Sequence, residues 1–174
     1  LKHAYEADPN HKQYKQEYFQ QILALAQKDF QNLKNNVNDE NDSIQKLNQL
    51  SENLEASWKG GAESLNKLGQ AYSDTLIEIY QYLSQRYLQR CLLPDPAKIM
   101  GKELVKEHKK IHEKELLKAL FYYDKAISIQ PENAALHFDK GVLLDWGYID
   151  FEQALTEFNL AIKYQDRNPF YHKL

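Results

Sequence analysis

Apolar residues recur at three- and four-residue steps along most of the chain, which is the spacing of one face of an α-helix. The first such stretch covers 11–35, and the polar residues of 35–42 separate it from a second stretch. Asp42 followed by Gln45 predicts a capping arrangement at the start of the second helix, and the glycine pair at 60–61 predicts its end. The apolar positions of the two stretches are Tyr18, Phe19, Ile22, Leu25, Ala26, Phe30 and Leu33, then Ile44, Leu47, Leu50, Leu54 and Trp58.

The rest of the chain continues this helical pattern with few breakers. No breaker occurs between 62 and 92, which predicts one long helix or a helix pair whose inner turn has been lost. Pro94 and Pro96 mark the next boundary, and Asn133 is suited to cap a later helix. Four more helices are predicted beyond the prolines, with a turn near His112 to Lys114, at 97–113, 115–130, 134–145 and 151–164.

A spaced set of small and aromatic residues occurs twice in the last third of the chain. Alanines seven residues apart lie on one face of a helix, where they let a partner helix approach closely, and the ring between them fills the remaining gap. A following proline ends the helix. The set is Ala119, Tyr123, Ala126 and Pro131, and it recurs as Ala154, Phe158 and Ala161, with Pro169 following later than the spacing of the first set.

This set resembles the second helix of a tetratricopeptide repeat, and the resemblance is clearest over residues 97–169. A weaker likeness to the first helix of the repeat is carried by Leu65, Leu68, Gly69 and Tyr72, with leucine in place of the usual tryptophan. The resemblance implies an all-α fold in which antiparallel helix pairs stack as a right-handed solenoid of about eight helices.

The last repeat both follows and departs from the family pattern. His137 stands at the position of the usual tryptophan, and Lys140 stands at the position of a leucine. Gly141 keeps the pattern, and the resemblance places it where the two helices of the repeat cross most closely. A leucine at position 141 is therefore expected to unfold this unit locally.

The organisation predicted from the sequence has three parts. Residues 1–60 form N-terminal helices that begin at the end of a truncated repeat, residues 61–96 form a long helix or a degenerate repeat, and residues 97–174 form the tetratricopeptide-like repeats. Because the chain starts at Leu1 and its first residues resemble the end of a repeat, we expect it to be a fragment of a larger protein.

The resemblance implies a protein–protein interaction scaffold that binds a peptide or helix of a partner in a concave groove, and it implies no catalysis. The first helices of such repeats line the groove. By position, the candidate binding residues are Phe138, Val142, Asp145, Leu104, His108, Ile111, Asn66 and Gln70, with Ser73 beside them. The alternatives are a non-catalytic accessory domain of a larger enzyme or assembly, an RNA-binding helical repeat, and self-association through exposed stacking faces.

Charge and residue content narrow the remaining chemistry. The net charge of −3 argues against general affinity for nucleic acid, and the lysines of 98–118 alternate with glutamates as on an exposed, ion-paired helix. His108 and His112 have the spacing of zinc ligands, but the surrounding lysines disfavour a cation, so no metal or cofactor is expected. The single cysteine fits a cytoplasmic protein, and no apolar run approaches the length of a membrane span.

Overall fold

The computed structural model describes residues 2–35, 40–62, 65, 67–91, 102–146 and 150–165, and for Cys91, residues 102–112 and Trp146 it describes the backbone alone. This part of the chain contains seven α-helices and no strand, so the predicted all-α class is confirmed. The helices are α1 Lys2–Ala7, α2 Lys12–Asn35, α3 Glu40–Lys59, α4 Lys67–Cys91, α5 Lys102–Ile129, α6 Ala134–Trp146 and α7 Phe151–Gln165.

The helix boundaries follow local chemistry. Gly61 has a φ of 148°, a backbone conformation that residues other than glycine rarely adopt. It stands just after the end of α3. Asn133 caps α6, because its side-chain oxygen accepts hydrogen bonds from the backbone N–H groups of Ala135 at 3.1 Å and Leu136 at 3.4 Å. The long uninterrupted α4 is also confirmed, although it starts at Lys67.

Two boundary predictions are wrong. The turn near His112 to Lys114 does not form, because α5 runs unbroken through this segment, which contains neither glycine nor proline. The first and second helices expected for that repeat are therefore one helix. The predicted cap at Asp42 is wrong as well, because α3 already begins at Glu40, and Asp42 accepts a hydrogen bond from Lys46 within the first turns.

Two compact units divide the chain within α4, as Leu1–Ile79 and Tyr80–Leu174. The first unit packs α2 against α3 and α4 through bulky side chains. Leu25, expected in the apolar stripe of α2, is instead 62% exposed. The core of this unit is made by side chains that are at most 5% exposed, among them Phe19, Leu23, Phe30, Ile44, Leu47, Leu54, Tyr72 and Leu76.

The second unit packs the end of α4, α5, α6 and α7. Ser84 of α4 donates a hydrogen bond of 3.0 Å to the carbonyl oxygen of Ala119 in α5. His137, early in α6, contacts Tyr164, late in α7, so these two helices run antiparallel. The small residues of the repeat are buried as expected, since Ala119, Ala126, Ala154 and Ala161 are all at most 6% exposed.

Gly141 confirms the expected close approach of α6 and α7. A Cβ atom built at this position would lie 2.7 Å from the Phe158 ring, closer than real side-chain contacts allow. The ring of Phe158 thus occupies the space that the absence of a side chain leaves on α6. None of the described helices has the length and apolarity that crossing a bilayer requires.

Candidate functional site

Four ionisable side chains form a network between α5, α6 and α7, in which Asp124 is exposed and the other three are largely buried. The carboxylate of Glu157 on α7 lies 2.6 Å from His137 Nδ1 through Oε2 and 2.6 Å from Lys140 Nζ through Oε1. The Lys140 ammonium also lies 2.7 Å from an oxygen of Asp124 on α5. The side chains of His137, Lys140 and Glu157 are at most 15% exposed, so one anion on α7 holds two adjacent turns of α6.

His137 contacts both the turn before α6 and helix α7 through its two ring nitrogens. Nε2 lies 2.8 Å from the carbonyl oxygen of Pro131, which can only accept, so Nε2 donates. Nδ1 lies 2.6 Å from the Glu157 carboxylate. The ring therefore ties the turn at Pro131 to α7.

The electrostatics of the network favour its charged form. Burial by itself raises the pKa of Glu157, but the hydrogen bonds from His137 and Lys140 outweigh it and leave the pKa below its ordinary value. Burial by itself lowers the pKa of Lys140, but the hydrogen bonds to Asp124 and Glu157 outweigh it and raise the pKa. Glu157 and Lys140 therefore stay ionised at neutral pH, and their ion pair joins α6 to α7.

An open groove of about 1140 Å³ lies beside this network, between the turn before α6, the first turns of α6 and the last turns of α7. Its apolar floor is formed by Phe138 on α6 and by Phe158, Ala161 and Ile162 on α7. The rings of Phe138 and Phe158 lie 5.8 Å apart between centroids. The remaining lining residues are Gln130, Pro131, Glu132, Asn133, Ala134, Ala135, Asp139, Tyr164 and Gln165.

Two of the large apolar side chains of the groove are open to solvent. Phe138 is 54% exposed and Ile162 is 59% exposed, whereas Phe158 between them is half-buried against Gly141. Further apolar residues continue along the outer face of α7, where Phe151 is 58% and Leu155 is 62% exposed. Phe151, Leu155, Phe158 and Ile162 are spaced by three and four residues, so they form one helical stripe.

Asp139 contributes an acidic group to the groove wall. Its side chain is half-buried, and burial raises the pKa of its carboxyl. In the described part of the chain, the Asp139 carboxylate takes part in neither an ion pair nor a hydrogen bond. The neighbouring Lys140 points instead to Asp124 and Glu157.

The binding residues predicted from the sequence fall in different places. Phe138 lines the groove; Val142 and Asp145 are exposed further along α6, outside its lining. Gln70 belongs to the first unit, where it donates to Asp74 at 2.8 Å, and Ser73 beside it is buried. The other predicted residues lie where the structure describes no side chain, namely Leu104, His108, Ile111 and Asn66, and so does His112 of the discounted zinc pair.

The sequence pattern did not identify Asp139, Phe158 and Ile162 as groove residues. The repeat spacing indicates a packing role for Phe158, and it gives no role to the outer face of α7. A signal for the network was present. His137 and Lys140 are the two departures from the repeat pattern, and both contact the Glu157 carboxylate. Their partners could not be inferred, because Glu157 and Asp124 are distant in sequence and carry no motif.

The aromatic residues near the lysines of α5 are mostly packing residues. Tyr122 stacks on Tyr80 and Tyr87 at centroid distances of 5.9 Å and 5.8 Å, and the latter two are buried. Tyr123 is buried too, and burial, with the charge of Asp139, raises its pKa to about 12.

Comparisons with known proteins leave the chain without an assigned family. No family model matches it, and no curated protein or solved structure is significantly similar to it. In the residues whose side chains are described, no three His, Cys, Asp or Glu side chains are grouped as metal ligands.

Proposed function

We propose that this chain is a protein–protein interaction domain that binds a peptide or helix of a partner protein in the groove between α6 and α7. The observation that carries the proposal is the pair of solvent-exposed apolar side chains, Phe138 and Ile162, on either side of the half-buried Phe158. Burying the exposed part of each of the two side chains contributes about 1 kcal/mol to binding. Contiguous apolar surface of this kind is typical of interaction sites.

The rigidity of the groove supports the same proposal. Both walls are fixed before any ligand arrives, because Glu157 joins α7 to His137 and Lys140 of α6, and His137 also holds Pro131 of the turn. A preformed groove loses little conformational entropy on binding, so more of the contact energy is available for affinity.

The repeat resemblance supports the class of domain. We propose that α5, α6 and α7 form a tetratricopeptide-like arrangement, whose buried small residues Ala119, Ala126, Ala154 and Ala161 let the helices pack closely. In this proposal the helices belong to a right-handed solenoid, and the domain acts in the cytoplasm as a non-catalytic scaffold.

The test is a selection of peptides from a random-sequence display library on the immobilised chain. We expect enriched peptides to bind the parent in a fluorescence anisotropy assay and to bind the double variant Phe138→Ser, Ile162→Ser at least about tenfold more weakly, since about 2 kcal/mol of apolar contact is lost. Leu25→Ser is the matched control, because Leu25 is as exposed as Ile162 but belongs to the first unit.

Folding of the variants is checked by circular dichroism, because the two groove side chains are exposed and their loss should leave the helices intact. If the enriched peptides bind parent and groove variant equally, the groove is not the binding site and the proposal is wrong.

A further inference from the structure

The charge of the groove differs from the mixed charge of the rest of the chain. Two of its lining residues are acidic, Glu132 and Asp139, and none of the described lining residues is Lys, Arg or His. Lys140 is next to Asp139 in sequence, but its ammonium is held between Asp124 and Glu157 at 2.7 Å and 2.6 Å. The wall of the groove therefore presents negative charge beside an apolar floor.

Of the two acidic residues, Asp139 is the half-buried one. A half-buried carboxylate normally gains a cation or several hydrogen bonds that offset the loss of water. Within the described residues Asp139 has neither, and burial alone accounts for the raised pKa. Pairing such a carboxylate with a cation of a ligand contributes more binding free energy than pairing an exposed one, because the carboxylate has already lost part of its water in the free domain.

We propose that the partner segment carries an apolar side chain that packs on Phe138, Phe158 and Ile162, together with a Lys or Arg that pairs with Asp139. The inference rests on the proposed function, because it names the chemistry of the ligand for the same groove.

Charge complementarity also excludes ligand classes. An acidic segment would bring like charge next to Asp139 in a partly desolvated site, which costs binding energy. A purely apolar segment would cover the Asp139 carboxylate without pairing it, which adds a further desolvation cost. Apolar and basic side chains in alternation or at helical spacing satisfy both parts of the groove.

The experiment uses two synthetic fluorescein-labelled peptide pools on the full chain, with identical apolar content, one with lysine and one with glutamate at every charged position. We expect the lysine pool to bind more tightly than the glutamate pool. Asp139→Asn should weaken binding of the lysine pool by about tenfold, because a half-buried ion pair contributes more to affinity than an exposed pair and less than a buried one. Glu113→Gln is the matched control, because it changes the net charge equally at an exposed site of α5 outside the groove. Asp139→Lys should reverse the preference towards the glutamate pool.

The outcomes separate this inference from the proposed function. If Asp139→Asn and Glu113→Gln weaken binding equally, the attraction is general and the inference is overturned. If both pools bind equally and only the Phe138→Ser, Ile162→Ser variant loses them, the groove is a binding site without charge selection, so the inference fails and the proposed function stands. If sedimentation velocity shows a dimer of the parent that this variant abolishes, the occupant is a second copy and the inference is again wrong.

Discussion

The two units of the chain hold their helices together with different chemistry. In the first unit, the core is filled by bulky side chains such as Phe30, Leu47, Leu54 and Leu76. Neutral polar groups bridge its helices, since the Tyr72 hydroxyl donates a hydrogen bond of 2.7 Å to the carbonyl oxygen of Phe19. In the second, alanines and a glycine bring the helices close, and a buried set of charges joins them.

The ion pairs show the same contrast. In the first unit, Lys46 pairs with Asp42 of the same helix, and the two side chains are 59% and 50% exposed. Exposed pairs of this kind contribute little to stability. The Lys140–Glu157 pair joins two helices and is 15% and 12% exposed. In the first unit, bulky side chains are thus accompanied by neutral hydrogen bonds between helices. In the second unit, the closely packed helices are joined by charged groups. We therefore expect the second unit to be the more sensitive one to charge substitutions and to pH.

The largest effect is expected for Glu157→Ala, which leaves His137 and Lys140 buried without their shared anion. Loss of one partner of a buried pair destabilises by about 3 kcal/mol, and Lys140 keeps Asp124, which limits the effect. Amide hydrogen exchange followed by mass spectrometry should show faster exchange in peptides of α6 and α7 and unchanged exchange in α2 and α3. Equal acceleration in both units would contradict the comparison.

Gly141→Leu is expected to be the next most disruptive change. Even its Cβ would lie 2.7 Å from the Phe158 ring, and overpacking of this kind costs about 2 kcal/mol or more. We expect local unfolding of α6 and α7, seen as an early transition in a circular-dichroism melt. The double change Gly141→Ala, Phe158→Leu is the matched control, and partial recovery of the melting temperature would confirm the steric cause. A melt of Gly141→Leu identical to that of the parent would show that the approach of α7 is not tight.

Acidification should separate the two units. Because the folded-state pKa of Glu157 is below its ordinary value of 4.5, its stabilisation is present above that value and is lost as the pH falls through the folded-state pKa. The raised pKa of Asp139 acts in the opposite sense, so the measurement is made in an Asp139→Asn background.

In that background, the protection factors of amides in α6 and α7 should fall below about pH 4.5 by more than those of amides in α2 and α3. Glu157→Gln should remove the difference between the units. A difference that persists in Glu157→Gln would assign the acid sensitivity to other carboxylates.

The smallest effect is expected for Tyr72→Phe in the first unit. It removes one buried neutral hydrogen bond to the carbonyl oxygen of Phe19, which costs about 1 kcal/mol. Chemical denaturation followed by hydrogen exchange should show the loss in α2 and α4, independent of pH across the acid range. A larger loss than that of Glu157→Ala would reverse the ranking of the two units.

Helix periodicity and the chemistry of helix ends were predictable because both are local. The stripe of α2, the stop at Gly61, the cap by Asn133 and the burial of Ala119 and Ala126 all follow from spacing within one helix or one turn. The turn predicted near His112 to Lys114 is wrong for a local reason too, because this segment contains no glycine or proline and the helix continues through it.

The groove depended on which helices meet, and sequence spacing carries little of that information. Phe138 was expected at a binding surface, but its neighbours Phe158 and Ile162 come from another helix, and only the antiparallel packing of α6 and α7 brings them beside it. The sequence by itself determined the helices, the small residues at their crossings and the mixed charge of the chain. The tertiary structure decided that Glu157 and Asp124 neutralise Lys140 and that Asp139 is left without a cation in the described region. The physical reason is that charge pairing acts over a few ångströms in space, and helices distant in the chain set those distances.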